Sequence, residues 1–589
     1  MSDRGIPLHP WPLESLLGRI DHEWRARREI FSLTGRRFFR ADPDVDLGWT
    51  LDDLRAATSV GPAAGPHTQL AQNIVLGWLA GARSFELKTV QVLDELDIPR
   101  PCIDMENVGY NVEWSQELKL RRSLEEYVKS WVLLAVLKRW EPLRAELGET
   151  GEHVFELSVG YDLAGVQSTA MTDFISGLRN PGVMIDGLRR EISGPFAHLR
   201  DLPVPETIVR TATLSTFHGC PPDQIEGIVK HLMSAHGLDV TVKLNPTLLG
   251  MDVVREILHD RLGYTDIVLA PEAFAEDLKF DRALEMIDRL RGFAEGCGRR
   301  FGIKLTNTLV VENRRGIMPG DRMYLSGRPL HVLAMTLLEK LHNALPGVLR
   351  LGLQDGAPVP VAFSAGIDKD NLQEAVALGL GPVTICSDLL RPGGYGRMAQ
   401  GLRKLVRFMK ENGLADLAAL RRHADAEARV AGHRDAVAAA AARLAAAEGC
   451  ARYSLAGSEK PLRRIDHVLE MFDCVACTNC VTVCPNNAFV SVPTAGVEGL
   501  QAREQYAVLA ELCNDCGNCT TFCPEEGAPQ LVKPRLYTMP AVWESRGREG
   551  FLLQLDGGAV AVSGDDDAAV RLAELLDPET LPVVLRGVD

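Results

Sequence analysis

Apolar and polar positions along the chain alternate between two periods. Short β-like runs are TSVGPAAG (58–65), SFELKTV (84–90), HVFELSVG (153–160), TATLSTF (211–217), DVTVKLN (239–245), FGIKLTN (301–307), PVAFSAG (360–366) and PVTICSD (382–388). Stretches with helical spacing, such as DQIEGIVKHLMSAHG and DNLQEAVALGLG, separate several of them. Eight strands with crossover helices over residues 55–410 predict an α/β fold, a (β/α)8 barrel whose chemistry sits at the carboxyl ends of the strands. Strand count alone leaves a doubly wound sheet open, because that fold gives the same alternation. The motifs at the strand ends decide between them. Ahead of the barrel, WPLESLLGRIDHEWRARREI carries apolar residues at helical spacing and predicts a helical extension over 1–54. After it, ADAEARVAGHRDAVAAAAARLAAAEGC (425–450) predicts an Ala-rich helix inside a linker spanning 411–465. The last segment, 536–589, predicts an extended stretch, a hairpin turning at Asp556-Gly557-Gly558, and a short helix over DDAAVRLAELL.

Composition narrows the class. A content of 46% hydrophobic and 24% charged residues is ordinary for a globular enzyme, and 589 residues suit about three or four domains. The formal net charge of −15 disfavours nucleic acid and anionic membrane as partners. The N-terminus lacks an apolar signal core, and no run of about 18 apolar residues occurs. A cytoplasmic location is therefore expected.

Cysteine spacing supplies the strongest chemical signal. Cys474, Cys477, Cys480 and Cys484 are followed by Pro485; Cys513, Cys516, Cys519 and Cys523 are followed by Pro524. Both runs read Cys-x2-Cys-x2-Cys-x3-Cys-Pro, the spacing that holds cubane iron–sulfur clusters. In this pattern the fourth Cys of each run ligates the other run's cluster. One 4Fe–4S cluster is thus assigned to Cys474, Cys477, Cys480 and Cys523, and the second to Cys513, Cys516, Cys519 and Cys484. Zinc knuckles use paired Cys-x2-Cys and have no use for the third Cys or the trailing Cys-Pro. These ligands predict a small α+β ferredoxin domain of bacterial type over 466–535. Two clusters imply one-electron traffic. The other five of the 13 cysteines (Cys102, Cys220, Cys297, Cys386, Cys450) are scattered, as in a reducing compartment.

The last two predicted strands end in small residues. Ser364-Ala365-Gly366 precedes a helix, and Ser387-Asp388 is followed by Gly393-Gly394. Such loops let backbone N–H groups and helix N-termini converge on a phosphate, and the loops after strands seven and eight are the usual phosphate site of this barrel.

Together with those segments, SVGPAAGP, GARSFELKTVQ, VTVKLNPT, IKLTNTL, LSGRPLHVLAM and VAFSAGI follow one another as in the dihydroorotate and dihydropyrimidine dehydrogenase barrels, which bind FMN. The resemblance covers most of residues 55–410. It implies that Ala64 and Gly65 lie under the isoalloxazine ring, with Lys88 and Thr89 at its edge and Lys243 and Asn307 beside its polar rim. It also implies that Ser326-Gly327, Ser364-Ala365-Gly366 and Ser387-Asp388 cradle the ribityl phosphate. A closer resemblance, through STFHGCPPDQIE, VKLNPTLLG, MENVGYNVEWS and LCNDCGNCTTFCP, is to the family of selenate reductase subunits typified by YgfK. Longer members of that family carry an FAD/NAD(P)H module. No strand–GxGxxG–helix unit with a downstream acid occurs in this sequence. A separate FAD/NAD(P)H subunit, or a ferredoxin, is therefore the expected electron partner within a hetero-oligomer.

The same resemblance points to the reacting groups. A Cys or Ser on the loop after the fourth strand supplies acid/base chemistry in the dihydropyrimidine-type enzymes. Here Cys220 leads, with His218 and Ser215 behind it, although the match is loose and no Asn follows the Cys-Pro. Lys88 is placed at the reactive face. Asn107 and Asn111, in MENVGYN, would pair with the amide edges of a heterocycle. The expected function is an FMN and iron–sulfur oxidoreductase acting on CH–CH groups, passing electrons between its clusters and a pyrimidine- or purine-like cyclic amide. The rivals are an electron-transfer subunit whose chemistry lies on another chain, and a barrel without flavin that scaffolds the clusters.

Overall fold

The computed structural model describes residues 7–51, 53–93, 98–112, 116–215, 221–352, 356–459, 461–494, 502–556, 559–564 and 566–576. Each of the eight predicted runs contains a strand: Val60–Pro62 (β1), Ser84–Glu86 (β2), Val154–Val159 (β3), Val209–Ser215 (β4), Asp239–Leu244 (β5), Phe301–Leu305 (β6), Val359–Phe363 (β7) and Val383–Ile385 (β8). They pair in parallel in the order β1-β8-β7-β6-β5-β4-β3-β2. Arg83 N donates to Val60 O at 3.0 Å, so the first and second strands meet and the ring nearly closes. This is the barrel, and the doubly wound alternative is excluded. Phe155 and Leu157 of β3 face the apolar layer under the helices, while Glu156 faces the barrel interior. The strand period of two produces that split.

The ends of the barrel are closed differently. A hairpin, Trp49–Leu51 with Leu54–Ala56, lies against the floor, at the amino ends of the strands. An antiparallel sheet in the order Leu309–Glu312, Arg322–Ser326, Gly109–Asn111, Ile103–Asp104 stands over the mouth. It gathers the loops after β2 and β6 beside the carboxyl ends of the strands.

Two expectations change, and a third is extended. Among the described residues the N-terminal extension is α-helical only over Leu13–Arg27, with a 3-10 turn at Gly35–Arg37. Arg28, Phe31 and Ser32 then take positive φ and turn the chain into the hairpin Glu29–Ile30 with Leu33–Thr34. The predicted linker is a packed layer instead. Helices Leu417–Val430 and Ala436–Ala445 bury Leu420, Ala436, Ala440 and Ala441 against the barrel helices, because methyl side chains permit close approach. The C-terminal segment continues the cluster domain's sheet, whose order is Phe489–Pro493, Glu504–Leu509, Arg535–Tyr537, Phe551–Asp556, Ala559–Ser563. Residues 557 and 558 of its predicted turn lie outside the described residues. Among the described residues, no helix is long and apolar enough to cross a membrane.

Candidate redox site

A solvent-open cleft of about 850 Å³ occupies the barrel mouth. Ala64, Thr89, Ser215, Lys243, Asn307, Ser326, Gly327, Ser364, Gly366, Ser387 and Asp388 line it, together with Met105, Arg328 and Arg391. The loops after β6, β7 and β8 converge at one end. Ser326 Oγ and Ser387 Oγ stand 2.9 Å apart, and Ser326 Oγ donates to Gly109 O at 3.2 Å. Gly366 has φ 57°, and a Cβ there would lie 2.4 Å from Gly327 O. Gly327 in turn caps the helix Arg328–Ala344, whose N-terminus faces this corner. Backbone close approach, a 17-residue helix start and two arginines give this corner a positive character that favours an anion.

Two buried carboxylates flank that corner and are neutralised from behind. Asp388 accepts from Arg397 at 2.6 Å, and Asp368 accepts from Arg452 at 2.7 Å. Burial pushes the Asp388 carboxyl up, and Arg397 only partly opposes that rise. On the overlying sheet, both polar side-chain atoms of buried Asn111 lack a partner, as does Asn107 Oδ1. Bare buried amide groups call for a partner, whether an ordered water or a ligand.

Beneath the cleft, Glu86 of β2 organises the interior. Its carboxylate meets Lys304 Nζ at 2.8 Å and Lys243 Nζ at 3.0 Å, and accepts from Ala64 N at 3.0 Å. Burial alone would raise this carboxyl, but the two lysines outweigh it and hold it down at about 2. One side chain thereby fixes a cation and a loop on the cleft wall.

The eight cysteines of the two runs fall into two neighbouring groups in space. Burial raises every affected thiol, and the neighbouring sulfurs add to it in two groups. Cys480 feels Cys477, Cys474 and Cys523, whereas Cys519 feels Cys516, Cys513 and Cys484 most. Among the described residues, no three His, Cys, Asp or Glu side chains close on a single ion. Thiolates around a cubane stand farther apart than the ligands of one ion, so the two observations agree.

The second of these sets is pressed against the barrel mouth. Cys102 N and Ile103 N both donate to Cys516 O at 3.1 Å. Asn518 Nδ2 donates to Leu390 O at 2.9 Å, in the loop after β8. Lys88 lies in this seam. Its ammonium donates to Gln69 Oε1 and Glu117 Oε1, each at 2.8 Å. Gln69 reaches Asn486, just beyond Cys484, at 2.9 Å, and Glu117 accepts from Asn514, just beyond Cys513, at 2.6 Å. Arg100 also meets Glu117, at 2.7 Å.

A family model for the oxidoreductase YgfK N-terminal TIM-barrel domain matches residues 31–434. The chain belongs to the YgfK oxidoreductase family. A 4Fe-4S dicluster domain matches residues 473–527, which places the two cysteine runs in an established iron–sulfur context. Relatives named YgfK from Escherichia coli strains K12 and O157:H7 are each 39% identical over 421 residues, covering 68% of this chain. This chain spans 39% of the length of those relatives. A ligand-free DHODH from Eimeria tenella aligns over 69% of this chain and 97% of its own, at 14% identity and a TM-score of 0.40. The barrel assignment rests on the strand order and on the family match.

In this YgfK-family barrel most of the predicted cleft residues do gather around one cavity. The exceptions are instructive. Lys88 points into the seam and does not line the cleft, and neither do Gly65 and Ala365, which are buried behind it. Asn111 sits on the overlying sheet, paired with Tyr324. Cys220 and His218 lie outside the described residues, while Ser215 reaches the cleft from the end of β4. Glu86, Lys304, Glu117, Arg328 and Arg391 were not anticipated. A charged residue at the inward parity of an apolar strand, as in SFELK and FGIKL, is the sequence signal for the first two.

Proposed function

We propose that the chain is an FMN and iron–sulfur oxidoreductase that passes electrons between its clusters and an unsaturated cyclic amide of pyrimidine or purine type. The observation that carries this reading is the seam. The ligand loops of the second cluster sit on the rim of a cleft with an anion corner at one end and a lysine in its wall. The fit to FMN rests on two features: the Gly327–Gly366 approach that a Cβ would fill, and the arginines beside it. When bound, FMN supplies both one-electron exchange with clusters and hydride exchange with an organic substrate.

The chain's own residues would do the rest. Ser326, Ser364, Ser387 and the helix N-terminus at Arg328 would hold the phosphate, with Arg391 nearby. Lys243, fixed by Glu86, would place a positive charge beside the ring's polar edge, where it favours the reduced, anionic form. Asn107 and Asn111 would offer donors and acceptors to a cyclic amide. Cys220 would exchange a proton with the substrate on the face opposite the ring, and Cys220→Ala should cut turnover roughly 10²–10⁴-fold with flavin retained.

Electrons would enter at the first cluster. Cys474, Cys477 and Cys480 are only partly covered, whereas Cys513, Cys516 and Cys519 are buried. A separate FAD/NAD(P)H protein or a ferredoxin would supply or accept them there. That exposure also suits the second reading, an electron-transfer subunit with the chemistry on another chain. Anaerobic purification separates the readings. One FMN and about eight irons per chain, with reoxidation of the reduced protein by a pyrimidine or purine, supports the enzyme. Both cofactors without reoxidation by any member of the panel supports the carrier, and clusters without flavin overturn the FMN reading.

A further inference from the structure

The barrel interior is unusual in its polarity. TIM barrels ordinarily fill it with layers of branched apolar side chains. Here a second cavity, of about 580 Å³, lies between the floor hairpin and the inner faces of the strands. Glu86, Glu156, Thr211, Thr241 and Thr384 line it, and the ion pair Arg300–Asp239, 2.8 Å long and partly exposed, stands at its rim. Thr384 lines this cavity and the cleft alike. Glu86 lines it as well, and its carboxylate touches Lys243, which lines the cleft.

Glu156 is the group nothing else explains. It is 8% exposed, and its Oε2 has no hydrogen-bond partner. Thr384 Oγ1 is likewise bare. Burial raises the Glu156 carboxyl, with Lys304 opposing and Glu86 reinforcing the rise. The charged groups facing it are Glu86 from β2, Lys243 and Asp239 from β5, Lys304 from β6, and Arg300 just before β6. The floor side of the cavity is apolar, lined by Trp49, Leu51 and Leu54, while on the strand side the unpartnered oxygens of Glu156 and Thr384 offer partners to ordered water.

We propose that the polar core of the barrel is a proton route, running from the floor through Glu156 and cavity water to Lys304, Glu86 and Lys243 beneath the cleft. Two-electron reduction of a bound ring takes up at least one proton, and the cluster domain brings electrons but none. When Lys243 releases a proton towards the cleft, the Glu86 carboxylate passes it one from Lys304. Water held by Glu156 refills Lys304 and takes its replacement proton from the Glu156 carboxylic acid, and the carboxylate so formed is reprotonated from the floor cavity. No bond other than N–H and O–H forms or breaks, and one proton entering balances one delivered.

The inference rests on the flavin reading, and its test is arranged to fail separately. In weakly buffered, anaerobic solution with a pH-indicator dye, the holoprotein is reduced by a light pulse and proton uptake is followed beside the flavin absorbance. Glu156→Gln and Thr384→Val, both nearly isosteric, are each expected to slow uptake at least tenfold and to enlarge the solvent deuterium effect. Iron and flavin content should stay unchanged, and Glu156→Asp should restore most of the rate. Wild-type uptake in whichever of the Gln and Val variants folds with full iron and flavin overturns the route. A holoprotein that lacks flavin overturns the earlier reading instead, and the absorbance spectrum reports that before any variant is made.

Discussion

Asn514 donates its side-chain amide to the Glu117 carboxylate at 2.6 Å, tying the loop between two cluster cysteines to the rim of the barrel. Glu117 also holds Lys88 and Arg100, so one buried carboxylate is shared by two cations and the cluster loop. Burial alone would raise this carboxyl, but Lys88 and Arg100 hold it at about 2. Glu117→Ala should therefore cost about 3–5 kcal/mol, since it strands two buried cations. Hydrogen exchange should show the loss first in residues around Asn514, with the far side of the barrel unchanged. A uniform, small change across the chain would contradict this.

The crossed ligand assignment makes Cys484 and Cys523 diagnostic. Cys484→Ser should reduce iron from about eight to about four per chain and remove the cluster next to the cleft. Cys523→Ser should give the same iron count but spare that cluster. Photoreduced flavin should then still exchange electrons with a cluster in the Cys523 variant and not in the Cys484 variant. Anaerobic iron analysis with low-temperature EPR reads both outcomes.

Gly366→Ala puts a methyl group 2.4 Å from Gly327 O at a residue with φ 57°. The loop after β7 must then retreat from the anion corner. FMN affinity should fall at least tenfold, ~1.4 kcal/mol or more, with full iron content. Fluorescence titration of deflavinated protein measures it.

Asn111 tests the proposed role of the overlying sheet in ligand binding. Its buried amide has neither donor nor acceptor satisfied. Asn111→Leu should stabilise the ligand-free protein by about 1–3 kcal/mol, because an unsatisfied buried amide is removed. The same change should weaken a heterocyclic ligand at least tenfold. A lower melting temperature would mean that the amide is satisfied in solution.

Glu86 gives the stability a definite acid limb. Its folded carboxyl lies at about 2 against an ordinary 4.5, held there by Lys243 and Lys304 over the opposing effect of burial. A depressed folded value stabilises above the unfolded value, and that contribution is lost as pH falls from 4.5 towards 2. The term is ~3 kcal/mol in size. Anaerobic urea midpoints should fall through that window, and more gently for Glu86→Gln, which is already weaker at neutral pH.

What the sequence determined by itself is whatever depends on neighbours along the chain. The cysteine runs are legible because three thiolates within seven residues, Cys474 to Cys480, already describe the grip on a cubane. The eight barrel strands are legible because, buried on both faces, they read as short apolar runs between stretches of helical spacing. Tertiary structure alone decided the rest. Glu86 meets Lys304 across 218 residues and Glu117 meets Asn514 across 397, and no local pattern encodes a pairing of that range. It also decided that Lys88 turns into the seam and that the alanines of 436–441 are core. A residue's parity on a strand gives the face it occupies, but only the packed chain supplies the charge that waits there.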